Sequence, residues 1–571
     1  MTYRAPVEDY NFLFDHVVGL DGVRATAKYE DATADVTHAI LTEAGKLCEE
    51  IIAPLQREGD LHPAVLENGV VRTSPGFRDA LQAVGEGGWV GMSSDPEYGG
   101  MGLPMALNAA VNDMMAGACL SLQLAPMLTQ GQIEALEHHA SDTLKSLYLP
   151  KLISGEWTGT MNLTEPQAGS DVGALTSKAV ENGDGSYAVT GQKIFITWGD
   201  HDLGGNVCHL VLARLPDAPS GVRGISLFLV PKLLPDADGN PGARNGVSVV
   251  SLEHKLGIHG SPTCVMQFDG SQGWLVGEKE GGMAAMFTMM NNARLGVGAQ
   301  GIGVGDAAFQ HALSYAQDRK QGKTAPEGGA DSILGHADVR RMLTTMKADV
   351  FAARAISVCN SVAIDMASAT KEPAWIARAA LLTPISKAFG TDTGVAVADM
   401  GLQIHGGMGF IEETGAAQFC RDVRITPIYE GTNGIQAMDL VGRKMMDGGE
   451  AAFSLLDEIE AEVEQARVLF PRLAVDVWQA CESLREATEW LVSQKDMQDR
   501  FAGAVPYLGA FARVLGAHLH LKAALADKNG PREKLARFYI KRMLPEHAGL
   551  LAHAQAGAED LFDLSGEELA I

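Results

Sequence analysis

A chain of 571 residues exceeds what one simple core organises, so three or four domains are expected. An apolar fraction of 46% is that of a globular protein, and 65 glycines point to many tight turns. The formal net charge of −26 argues against nucleic acid or an anionic membrane as the main partner, while leaving room for a local basic pocket that takes an anionic ligand.

The N-terminus carries Arg4, Glu8, Asp9 and Asp15, which interrupt any signal-peptide core. From about residue 30 to 158 the pattern is helical: Leu41, Ala44, Leu47, Ile51 and Ile52 recur at helical spacing, and residues 106–119 are rich in small apolar side chains. Residues 95–104 read as a loop from their glycines and prolines. Residues 1–158 are therefore expected to form an N-terminal helical domain. From 159 to 276 the period shortens to strands, at 187–189, 194–197, 210–212, 225–230 and 247–250, with turn signals at 182–185 and 238–242. That spacing predicts a middle β domain built as a barrel or sandwich and not from βαβ units. The helical pattern returns from 277 to 445 as a four-helix domain, with Met283, Met286, Met289 and Met290 on one helix face and a polar interhelical loop at 323–331. Residues 446–571 add a further helical segment, in which Leu455, Ile459, Val463 and Ala466 mark one amphipathic helix and Val477, Cys481, Leu484 and Leu491 another. The fold class expected is α+β. No apolar run approaches the length of a membrane span.

Residues 296–301 match GxGxxG, the dinucleotide-binding pattern, but lack the strand that should precede it. Small residues continue through Gly303 and Gly305, so a helix made for close packing is the better account. Seven cysteines, Cys48, Cys119, Cys208, Cys264, Cys359, Cys420 and Cys481, are dispersed without a CxxC pair. No zinc site or dithiol centre is suggested, no other metal site is expected, and a reducing, cytoplasmic setting fits best.

Three stretches carry chemistry. Tyr429-Glu430-Gly431-Thr432 offers one carboxylate as a base beside a glycine that lets a ligand approach the backbone. The 163–171 stretch, Leu163-Thr164-Glu165-Pro166-Gln167-Ala168-Gly169-Ser170-Asp171, is a turn dense in hydroxyls. Taken alone it reads as an ordinary turn, although the Thr164 hydroxyl and loop backbone would suit the polar edge of a flat ring, and Ser170 beside Gly169 a phosphate. Gly191-Gln192-Lys193-Ile194-Phe195-Ile196-Thr197 reads as a strand, and Gln403-Ile404-His405-Gly406-Gly407 as a turn ahead of Glu430.

In this order and at these separations the stretches resemble the acyl-CoA dehydrogenase family, over roughly residues 30–445. The resemblance implies FAD as cofactor, with Leu163, Thr164, Gly169, Ser170, Phe195, Ile196 and Thr197 contacting it. The family usually carries tryptophan where this chain has Phe195, so aromatic packing is kept and the indole N–H is lost. Arg319 and the turn containing Gln403, Gly406 and Gly407 are expected to reach the FAD of a neighbouring subunit, which implies at least a homodimer. Thr432 and Asn433 are expected at its adenosine part. Ser170, Asn291, Arg294 and Gly431 are expected on the substrate side, Arg294 supporting either the pocket or the Glu430 loop or serving a structural ion pair. Some members carry their base at the position of Ala293, which cannot accept a proton, leaving Glu430.

The activity implied is α,β-dehydrogenation of an acyl-CoA thioester to the trans-2-enoyl-CoA. Glu430 would take the α-proton, its backbone N–H would hold the thioester oxygen, and reduced FAD would pass electrons to an electron-transferring flavoprotein. The length, the C-terminal extension, residues 10–20 and residues 255–263 resemble a subgroup acting on 3-(methylthio)propanoyl-CoA in dimethylsulfoniopropionate demethylation. Other short or medium acyl-CoAs stay open, as does an acyl-CoA oxidase. A non-enzymatic flavin-binding, DNA-associated relative is disfavoured by Glu430 and by the acidic charge.

Overall fold

The computed structural model describes residues 3–324 and 331–571, and the chain divides into two units. One unit gathers Met1–Gly45, Pro104–Gly117 and Val297–Ile571; the other holds Lys46–Leu103 and Ala118–Gly296. One passage between them falls at the kink in helix Met105–His139, where Cys119 leaves helical geometry with φ −160° and ψ 100°.

Among the described residues, the second unit carries all the strands. A small hairpin pairs β1 (Val65–Glu67) with β2 (Val70–Arg72). The main sheet comprises β3 (Thr158–Asn162), β4 (Lys178–Glu181), β5 (Tyr187–Thr197), β6 (Val207–Arg214) and β7 (Ile225–Pro231), and then, after a small pair β8 (Leu233–Pro235) and β9 (Pro241–Arg244), β10 (Val247–Leu252) and β11 (Thr263–Val276). Pairing runs β11 to β5, β5 to β4, β4 to β6, β6 to β7 and β7 back to β11, so the strands close into a barrel flanked by β3 and β10. Closure leaves the five ring strands without a free edge, and β3 and β10 each remain paired on one side. The barrel is filled by Tyr187, Val189, Ile196, Val211, Phe228, Met266 and Phe268 among others. β6 and β7 are covered on both faces, which is why they read as unbroken apolar runs.

The barrel bears out the expected middle β domain, but the sequence hid its longest strand. β11 contains Asp269-Gly270, a turn signal, and Gly270 takes φ 60° at a register break between Phe268 and Ser271. The strand bulges there and continues.

The first unit is helical. Helix Gly282–Asp318 runs into it, and its glycines pack against helix Pro373–His405: a methyl on Gly301 would strike the backbone of Gly390 and Thr391, and one on Gly305 would lie 3.2 Å from Gly394 Cα. The GxGxxG string thus lies within a helix, made for close backbone approach. Helix Ala337–Thr370 corrects the expectation that no apolar segment is long enough to span a membrane; by length and composition it is, yet 78% of its most apolar window is buried inside the protein. Helix Ala504–Ala526, from the C-terminal extension, lies against it, with His520 Nε2 3.1 Å from Ala348 O and Arg513 paired to Asp349.

A buried charge cluster ties the extension to the N-terminal helix. Asp9 pairs with Lys347 at 2.8 Å, with Arg354 at 3.5 Å and with Arg532 of helix Pro531–Arg542. Burial pushes the Asp9 carboxyl up, but the three cations outweigh it and hold it well below the usual range. Arg354, itself fully buried, is also bound by Asp113 and Asp306. Of the polar stretch read as an interhelical loop at 323–331, residues 325–330 lie outside the described residues.

Candidate active site

In the strand-rich unit, the 163–170 loop is fixed to β5 by a buried ion pair. Lys193 and Glu165 meet at 2.8 Å with side chains 0% and 2% exposed. Lys193 also donates to Leu163 O at 3.0 Å, and Ile194 N donates to Thr164 O at 2.9 Å. The Glu165 carboxylate accepts further bonds from the amides of Thr176 (2.7 Å) and Ser177 (3.1 Å), from both their hydroxyls, and from Gln167 Nε2. Burial pushes this carboxyl up, but Lys193 and the hydrogen bonds prevail and hold it down at about 2. Glu165 and Ala168 exchange both backbone bonds at 3.0 Å, which closes the turn and leaves Gly169 and Ser170 exposed beyond it. A methyl on Gly169 would meet nothing within 4 Å, so a ligand can approach its backbone closely.

Phe195 sits at a bulge opposite Cys264 and Met266, takes φ 60°, and holds its ring 59% exposed. A left-handed non-glycine residue costs on the order of 1–3 kcal/mol, and bulges of this kind re-aim a side chain. Ile196 instead points into the barrel core, so only its backbone faces outward chemistry; Thr197 is half-buried. An exposed apolar ring on the strand that Ile194 N ties to the loop at Thr164 O, with an open glycine next to Ser170 on that loop, suits a flat amphipathic ring that carries a phosphate tail. The residues present therefore fit FAD.

In the helical unit, Glu430 and Gly431 take φ 56° and 82°, two left-handed residues in succession. Three helices hold this turn. The phenol of Tyr429 donates to Gln300 Oε1; burial and the Glu430 charge push it up, so it stays protonated. Lys387, fully buried on helix Pro373–His405, donates to Gly431 O at 3.1 Å and to Asn433 Oδ1 at 2.9 Å. Gln436 Nε2 lies 3.3 Å from Glu430 O and 3.2 Å from Gly431 O. Thr432 caps helix Asn433–Val441 by accepting from Ile435 N at 3.2 Å. Asn433 Nδ2 donates to Asp392 (2.7 Å) and Thr391 (2.9 Å). The turn is thus strained and tightly held, the state in which a carboxylate can be aimed.

The other expected residues are distributed as follows. Arg319 is exposed just past helix Gly282–Asp318, its backbone tied to Tyr315 and Ile333. Gln403, Gly406 and Gly407 are exposed; methyls on either glycine would meet nothing within 4 Å, and nearby Phe410 is 86% exposed. Asn291 is exposed, and Arg294 is only 5% exposed with its guanidinium 3.4 Å from Asn291 Oδ1. Ala293 is buried. Sequence reasoning did not single out Lys387, Gln436, Gln300 or the Glu165–Lys193 pair as site residues. A lone lysine inside the apolar run 381–390 was the available signal for the first of these.

Family models match in four consecutive blocks: the acyl-CoA dehydrogenase N-terminal domain at 35–156, middle domain at 160–271 and C-terminal domain at 280–446, followed by an acetyl-CoA dehydrogenase C-terminal-like domain at 455–565. The 3-methylmercaptopropionyl-CoA dehydrogenase of Ruegeria pomeroyi is 46% identical over 519 residues, covering 89% of this chain and 88% of that one. A butyryl-CoA dehydrogenase of Syntrophomonas wolfei is 34% identical, covering 100% and 99%. Among solved structures, an acyl-CoA dehydrogenase from Bacillus anthracis complexed with FAD superimposes with a TM-score of 0.72 over 98% of this chain and 93% of that one, at 21% identity.

Proposed function

This chain belongs to the acyl-CoA dehydrogenase family, and from that premise we propose that its substrate is 3-(methylthio)propanoyl-CoA, oxidised to the trans-3-(methylthio)acryloyl-CoA in dimethylsulfoniopropionate demethylation. The protein is a FAD-dependent oxidoreductase of acyl-CoA thioesters. The substrate reading is carried by the 46% identity to the Ruegeria enzyme across 89% of this chain, a span no three-domain match would fill.

Bound FAD supplies the hydride acceptor for Cβ. The residues expected to hold it are Leu163, Thr164, Gly169, Ser170, Phe195, Ile196 through its backbone and Thr197, with Thr432 and Asn433 at its adenosine part, and with Arg319 and the Gln403, Gly406, Gly407 turn facing the FAD of a second copy. The exposure of that turn, of Arg319 and of Phe410 supports a homo-oligomer in which these groups are covered. Glu430 removes the α-proton; its backbone N–H is assigned to the thioester oxygen, where charge develops as the proton leaves. Donors so placed are commonly worth about 3 kcal/mol each. Electrons leave to an electron-transferring flavoprotein.

Butanoyl-CoA is the second reading, favoured by the full-length likeness to the Syntrophomonas enzyme. A panel of acyl-CoAs, scored anaerobically by flavin bleaching, tests both. One methylene is worth roughly 1–3 kcal/mol in a fitted pocket, so short substrates should differ modestly and palmitoyl-CoA should be excluded. A higher kcat/KM for butanoyl-CoA would replace the leading reading with the second; a higher value for palmitoyl-CoA would end both.

A further inference from the structure

We propose that Lys387 is a positioning residue for the catalytic carboxylate, clamping together with Gln436 the backbone turn that aims Glu430. The proposal rests on the reading of Glu430 as the base. Gly431 O receives two side-chain donors, Lys387 Nζ at 3.1 Å and Gln436 Nε2 at 3.2 Å, and Glu430 O receives the second of these donors at 3.3 Å. Two successive carbonyls are therefore drawn toward helices Pro373–His405 and Asn433–Val441. Peptide planes are rigid, and none of the described bonds is cis. The two carbonyls lie in the peptide planes on either side of Gly431, so fixing both sets the left-handed bend at Gly431 and holds the 430–431 plane, one of the two that orient Glu430.

The lysine cannot drift. Its Cα lies 3.4 Å from where a methyl on Gly298 would sit, so the close helix crossing sets its position. Its head is steadied by Asn433, which is itself bound to Thr391 and Asp392. A fully buried ammonium is an expensive way to fill space, and an apolar side chain of the same volume would pack as well. What the ammonium adds is directed donors onto the turn.

The test uses purified holoenzyme with Lys387→Met, which keeps the stem and removes the donors, and Gln436→Leu. Exchange of α-protons with deuterium is followed by mass spectrometry on a 3-thia acyl-CoA, which has α-protons but no β-hydride to give. Turnover, FAD content, thermal midpoint and ligand Kd are measured in parallel. A misplacement of the order of 1 Å can cost about 10²-fold in rate. Lys387→Met should lose about that factor in kcat and in α-exchange, with ligand Kd and FAD content within about 3-fold of wild type. Gln436→Leu should show the same pattern with a smaller loss, and it decides alone if Lys387→Met does not fold. Unchanged exchange in a folded variant overturns the proposal. So does a parallel loss of FAD, ligand binding and kcat, which marks a purely structural role. Glu430→Gln is run alongside: if that variant still exchanges α-protons, the base assignment fails, whatever Lys387 does.

Discussion

Replacing Lys193 with methionine removes the cation from a carboxylate that is 2% exposed, and the consequences can be worked from the contacts. Breaking one side of a buried ion pair costs on the order of 3–5 kcal/mol, because the remaining charge keeps its burial and loses its partner. Burial pushes the Glu165 carboxyl up, but Lys193 and the hydrogen bonds from Ser177 and Thr176 hold it down at about 2, while burial lowers the Lys193 ammonium to about 8. The two partners' shifts oppose each other, so the cost is set by the charge left behind. Because the folded Glu165 value lies below the unfolded one, its own contribution is present above about pH 4.5 and is lost as pH falls toward about 2. The amides of Thr176 and Ser177 donate to Glu165, and Ile194 N to Thr164 O, so these report the local opening. A loss of about 3 kcal/mol corresponds to about 10²-fold faster hydrogen exchange at pH 7. Exchange mass spectrometry on peptides covering 163–177 and 187–197 reads it directly, and FAD should bind more weakly in the same variant. Wild-type protection in these peptides, with Glu165 left without its cation in a folded protein, would refute the claim that the pair holds the flavin loop.

Arg319→Ala should lower FAD occupancy at dilution while leaving the thermal midpoint of the FAD-free protein within a few degrees; unchanged FAD affinity would remove Arg319 from the cofactor contacts. Asp9→Asn strands Lys347, Arg354 and Arg532 without their shared carboxylate and should cost about 3–5 kcal/mol, read as faster proteolytic release of the C-terminal extension. Gly303→Ala would drive a methyl into the Asp113 carbonyl and should destabilise the helical unit by about 1–3 kcal/mol, seen as a lower urea midpoint.

Much of the barrel was legible because β6 and β7 are apolar on both faces and the turns between strands carry glycine and aspartate. β11 was not, since its bulge at Asp269-Gly270 uses the same residues as a true turn and only the neighbouring strands show that the ladder continues. Helix Ala337–Thr370 was under-read, because charged residues such as Arg354 and Asp365 break its apolar run, while over 18 residues its composition still passes for a span and 78% of that window is buried in the protein. At the site, Glu430 stood out because a carboxylate before glycine has a local chemical meaning. Lys387 did not, because its meaning lies in a turn 44 residues further along the chain, reached only through helix packing. Phe195 was legible as an aromatic but not as a left-handed residue at a bulge, which is what exposes its ring.

The central claim is that Glu430 is the base, and Glu430→Gln tests it most directly, since the amide keeps the size and cannot accept the proton. The variant is mixed anaerobically with excess 3-(methylthio)propanoyl-CoA and flavin bleaching is followed by stopped flow. General-base catalysis contributes typically 10²–10⁴-fold, so bleaching should slow by about 10³-fold while FAD and ligand binding persist. Bleaching at a near-wild-type rate would contradict the account.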